Sequence, residues 1–106
     1  MTIKEFMVTL KELNGKNGEK FQFVLGRYMR VSSGDSKTHC PITFVCHKVT
    51  GKFFLSYEWD IAAKLIHLSR ITAEKIAAAA DGTLNSKKAI RESLLMALNL
   101  KEMEEK

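Results

Sequence analysis

Proline, cysteine and long apolar runs are all scarce in this chain. One proline and two cysteines occur in 106 residues, and no apolar stretch approaches a membrane span. A transmembrane helix needs roughly 18 or more consecutive apolar residues, so none is expected. Two cysteines and three histidines are too few for a disulfide-stapled scaffold, which favours a reducing compartment such as the cytoplasm. The opening residues MTIKEFMVTLKEL mix charge into their apolar pattern and do not read as a secretory signal. P-loop, dinucleotide-fold and zinc-protease motifs are also missing, as is any assembled acid, base and nucleophile set. No enzyme activity and no cofactor are therefore expected.

What is present is a 45% hydrophobic, 27% charged composition, enough apolar content for one small core. The formal net charge is +5. Residues 1–53 carry nine Lys and Arg against four Asp and Glu, and residues 54–106 carry eight of each sign. The excess charge therefore lies wholly in the first half. A basic surface of this kind attracts nucleic acid or an acidic protein without specificity, and it also simply keeps a chain solvated.

Periodicity predicts a mainly α protein, a bundle of five or six short helices. A single helical domain is expected over residues 1–100, followed by a frayed charged tail, 101–106. Ile3, Phe6, Met7, Leu10 and Leu13 share one helical face, with Thr2 and Glu5 spaced for a capping box. Phe21, Val24, Leu25, Tyr28 and Met29 repeat the pattern, although Phe21, Phe23 and Leu25 also alternate as a strand would. Ser32 to Thr38 reads as a loop. Pro41 and Gly51 bracket Ile42, Val45, Cys46 and Val49 as a helix; a small β-hairpin within residues 42–57 is the alternative. Ser56 is placed to cap a helix burying Ile61, Ala62, Leu65 and Ile66. A further helix is expected over Thr72 to Ala80, its inner face Ala73, Ile76, Ala77 and Ala80. A last one follows Ser86, with Ile90, Leu94, Ala97 and Leu98 inward.

The segment IAAKLIHLSRITAEKI, Ile61 to Ile76, resembles the helix-turn-helix of bacterial and phage DNA-binding proteins. The resemblance makes Ala63 the small residue of the first helix and Ile66 and Leu68 the anchors of the turn. His67 takes the turn position that is usually glycine, which demands a left-handed backbone. Ala73 and Ile76 would pack the second helix inward. Arg70, Thr72, Glu74 and Lys75 would face the major groove, with Ser69 at a phosphate. Arg27, Arg30, Lys48 and Lys52 would neutralise further phosphates. The same pattern fits an ordinary αα-hairpin packed through alanines.

Over Cys40 to Leu100 the order CPITFVC, TGKFF, EWDIAAKLIHLS, AEKIAAAADG, IRESLLMALNL also resembles small uncharacterised proteins encoded by phages and prophages. That resemblance implies context alone. A phage regulator binding DNA, as a homodimer where its site is palindromic, is the leading expectation. The alternative is a phage-encoded accessory that binds and inhibits a host protein or ribonucleoprotein, such as a defence nuclease complex.

Two further groups invite chemistry. His39-Cys40 and Cys46-His47 offer zinc-compatible atoms, but adjacent ligands rarely reach one ion. No metal site is expected, and Cys46 reads as a small buried hydrophobe. Phe53, Phe54, Tyr57 and Trp59 would suit a base-stacking platform beside Lys48 and Lys52. The simpler expectation places them at the centre of the core.

Overall fold

In the computed structural model the described residues are 1–13, 22–24, 30–32, 38–81 and 88–98. They form a mainly α architecture. The elements run α1 (Ile3–Leu13), β1 (Gln22–Val24), β2 (Arg30–Ser32), β3 (Thr38–His39), α2 (Pro41–Thr50), α3 (Trp59–Leu65), α4 (Arg70–Asp81) and α5 (Lys88–Ala97), with a 3-10 turn at Ser56–Glu58. The charged tail 101–106 lies outside the described residues, as do Arg27 and Ser86.

Helix α2 is the hub. It packs against α1, α3, α4 and the strands β2 and β3, while α5 closes on α1 and α4. Its start follows from Pro41 at the first helical position, where a missing N–H costs nothing. Its end follows from Gly51, which takes φ 78° and donates its N–H to the His47 carbonyl at 2.8 Å, a left-handed close that glycine adopts without strain. Between these, residues 41–46 are all buried. Thr43 is fully buried but satisfied, its hydroxyl donating to the Cys40 carbonyl at 3.0 Å, as a buried polar group requires. The hairpin alternative for residues 42–57 is thereby excluded.

Phe6, Leu10, Ile42, Phe44, Ile76 and Leu94, from four helices, make the fully buried centre. Helix α1 buries Phe6 and Leu10 of the expected face and leaves Ile3, Met7 and Leu13 half-buried, and its first turn is tied by Thr2. The Thr2 hydroxyl accepts the Glu5 N–H at 3.1 Å and donates to the Glu5 carboxylate at 3.2 Å. The reciprocal bond of a capping box, in which the Thr2 amide donates to the Glu5 carboxylate, is replaced by this side-chain pair.

Five expectations are corrected. The helix expected over Phe21 to Met29 is interrupted by strand β1, whose Gln22, Phe23 and Val24 pair antiparallel with Ser32, Val31 and Arg30. The alternation around Phe23 prevails because β2 supplies a partner, and because Gly26 weakens the helical competitor. Strand β3 adds to β2 through Val31–His39 and Ser32–Thr38, so the expected loop Ser32 to Thr38 has both its ends in strands.

The α3 region differs in two ways. Ser56 is not its cap; the segment enters through a 3-10 turn in which the Leu55 N–H is accepted by the Glu58 carboxylate at 3.0 Å. Helix α3 buries Ala62, Ala63 and Ile66, leaving Ile61 and Leu65 half out. Two adjacent alanines let α3 approach its neighbours closely, and that contact displaces the wider side chains to its flank. Finally, Phe53 and Tyr57 are exposed, Tyr57 to 75%, while Phe54 and Trp59 only lean on the core. The aromatic cluster is not the core's centre, because the 51–58 connection runs over the surface.

Candidate nucleic-acid interface

The α3–α4 hairpin is built by backbone hydrogen bonds. The Leu68 N–H reaches the Ala63 carbonyl at 2.9 Å and the His67 N–H reaches the Lys64 carbonyl at 3.3 Å. Together they form a Schellman closure of α3. His67 holds its left-handed position, at φ 60°. Ala63 and Leu68, the two residues such a motif brings together, are both buried, as is Ile66. The turn's conformation thus follows from its hydrogen bonds, and a histidine tolerates it where glycine would fit without strain. The terminal amino group of Met1 donates to the His67 carbonyl, which ties α1 to the turn.

Since both backbone groups of residue 67 would be kept by glycine, His67→Gly should relieve the left-handed penalty and raise stability by about 1 kcal/mol. Thermal unfolding measures it directly. A melting temperature at or below that of the parent would show that the left-handed penalty at His67 is no larger than the unfolded-state entropy glycine adds.

Helix α4 starts two residues before the expected Thr72. Ser69 is its cap, in the manner usual for a serine before a first turn. The Ser69 hydroxyl accepts the Thr72 N–H at 3.2 Å and donates to the Thr72 hydroxyl at 2.8 Å. Thr72, half-buried, is therefore occupied in closing the first turn. Ala73, Ile76, Ala77 and Ala80 face inward as expected, joined by Ala79. Arg70, Glu74 and Lys75 are exposed. Arg70 Nε lies 3.1 Å from Glu74 Oε1, one turn apart and largely in water, so the pair contributes little to stability.

Ser69 as cap and Arg70, Thr72 and Lys75 in the first half of α4 are thus neighbours along one element, but only Arg70 and Lys75 face outward with side chains not engaged in the cap. The remaining candidates lie elsewhere. Lys48 sits on α2 with its Nζ 5.8 Å from the Phe44 ring centroid, and Lys52 is exposed just past the Gly51 cap. Arg30 belongs to β2; Arg27 lies outside the described residues.

A cleft of about 360 Å³ opens along the α3–α4 hairpin, lined by Trp59, Asp60, Lys64, Leu68 and Arg70 among others. Of the cysteine–histidine pairs, the structure describes the side chains of Cys40, Cys46 and His47. Cys40 precedes α2, Cys46 is buried within it 3.6 Å from the Thr50 hydroxyl, and His47 packs edge-on to Phe53. Among the described residues no group of three or more potential ligands is placed to hold a metal ion, and none of their helices is long and apolar enough to cross a membrane.

No family can be assigned. No protein-family model, curated protein or solved structure matches the chain.

The residue that sequence reasoning missed on this surface is Ile71, which is 67% exposed on the outer side of α4. A helical wheel drawn from Arg70, rather than from Thr72, would have found it.

Proposed function

We propose that this chain is a small DNA-binding module that presents α4 to the major groove, in the manner of a phage regulator. One observation carries the reading. The left-handed turn at His67 joins two helices through buried Ala63, Ile66, Leu68, Ala73 and Ile76, leaving Arg70 and Lys75 outward on the second. A short helix that carries basic side chains outward and is closely backed by another is the unit that enters a groove of about 12 Å width. Arg70 and Lys75 make the α4 contacts, Ser69 holds the helix N-terminus, and Lys48 and Lys52 meet phosphates. A palindromic site would be read by two copies of the chain.

The test is duplex binding against salt. Affinity should fall steeply as salt rises, in proportion to the phosphates neutralised, and should differ between sequences. Failure to shift any duplex at low salt would end this reading.

A second reading is favoured by a different surface. A groove of about 260 Å³ between α1 and α5 is lined by Met7, Val8 and Met96, with Lys4 and Lys11 alongside. Methionines on an open groove suit an adaptable protein contact, as an accessory that occupies a host factor would need. A pulldown from the natural host that returned no stoichiometric partner would count against it.

A further inference from the structure

The outer face of α4 is not centred on its charges. At 3.6 residues per turn, Ile71 and Ala78 lie within ~20° of one another, and of the two only Ile71 is exposed, so it marks the middle of the exposed face in the first turns. Glu74 and Lys75 flank it. Arg70 and Thr72 stand ~100° to either side of Ile71. In the first turns of α4 the burial pattern agrees, with Arg70, Ile71, Glu74 and Lys75 exposed, Thr72 half-buried and Ala73 buried, whereas further along Ala78 is half-buried and Ile76, Ala77, Ala79 and Ala80 are buried. Thr72 is held by Ser69 at 2.8 Å, and Arg70 is drawn along the helix to Glu74 at 3.1 Å. The exposed side chain at the centre, with no polar group to bind elsewhere, is Ile71.

An aliphatic side chain at the middle of a groove-facing surface has one apolar feature to meet there. The C5 methyl of thymine is the only methyl group that the unmodified major groove offers. Resting on the DNA-binding reading, we infer that Ile71 is a specificity-determining residue that selects thymine through its C5 methyl. Arg70 and Lys75 then supply the flanking polar and phosphate contacts, and Thr72 sets the helix start instead of reading a base. An isoleucine in this position disfavours bases that present only donors and acceptors, since covering these without a partner costs their hydration.

The experiment uses the full chain and two random-sequence duplex pools, one synthesised with thymine and one with deoxyuridine in its place. The two differ by the C5 methyl alone. The parent protein should retain the thymine pool at least about fourfold better, the worth of one buried methyl. Ile71→Ala should bring the ratio to about one, by the same arithmetic. Ile71→Asn should bind sequences enriched in adenine, whose N6 and N7 an amide can engage. Circular dichroism and unfolding of both variants should match the parent, because the side chain is largely in solvent.

Equal retention of the two pools by a parent that still binds DNA in a salt-dependent way would overturn the role of Ile71 and leave the DNA reading standing. Discrimination that survives Ile71→Ala would do the same, by moving the reader elsewhere. No binding to either pool would remove the DNA reading, and the role of Ile71 with it.

Discussion

Phe44→Ala should unfold the protein at temperatures where the parent is stable. Phe44 is 0% exposed on α2, the helix that touches α1, α3, α4 and the sheet. Truncating a buried phenylalanine removes its transfer free energy and leaves a cavity, together about 3–5 kcal/mol. A domain of this size has a total stability of roughly 5–15 kcal/mol, so the loss is a large share of it. At ~4–8 °C per kcal/mol the melting temperature should drop by more than about 12 °C. Lys48 would also lose the ring beneath its ammonium group, 5.8 Å away, a contact worth no more than about 1 kcal/mol near the surface. Phe44→Leu keeps most of the volume and should recover a large part of the stability. A shift under about 5 °C for Phe44→Ala, measured by calorimetry, would show that α2 does not organise the core.

The features that were legible in sequence are those set by local chemistry. Pro41 and Gly51 bracket α2 because one lacks an N–H and the other tolerates positive φ, and both facts hold whatever surrounds them. The left-handed His67 follows from the two-helix pattern around it, because the Schellman bonds to Ala63 and Lys64 allow no other backbone there. The alanine face of α4 is likewise a matter of period.

The errors are non-local. Strand β1 is decided by pairing with Arg30–Ser32 across intervening residues, and a local window containing Phe21, Phe23, Val24 and Leu25 fits either period. Which side of α3 is buried depends on how closely α2 and α4 approach Ala62 and Ala63. That is a packing outcome, in which larger Ile61 and Leu65 yield to smaller residues. At α4 a two-residue error in the start was enough to exchange roles. Capping by Ser69 turns Thr72 from an outward reader into a first-turn partner, and places Ile71 at the middle of the exposed face.

The net charge acquires a different role in this architecture. Among the described residues Lys4, Lys11, Arg30, Lys48 and Lys52 all lie off the α3–α4 hairpin, so most of the basic charge and the helix proposed to enter the groove are carried by separate parts of the chain. Their contributions can therefore be separated by mutation. Arg70→Glu combined with Lys75→Glu should lower duplex affinity by about a hundredfold or more, since charged contacts at a base or phosphate contribute roughly 1–3 kcal/mol each and here each is also reversed. The fold should survive. Arg70 is 86% exposed, and a glutamate in the first turn of α4 is favoured by the helix dipole. That gain offsets the few tenths of a kcal/mol lost by facing Glu74 across one turn. Lys48→Glu with Lys52→Glu should weaken all duplexes evenly and flatten the salt dependence by about two phosphates' worth, without changing which sequence is preferred. The comparison therefore distinguishes reading from holding. Loss of sequence preference in the first pair alone places recognition on α4. Unchanged affinity in the first pair would show that α4 does not face the groove, whatever the shape of the hairpin that carries it.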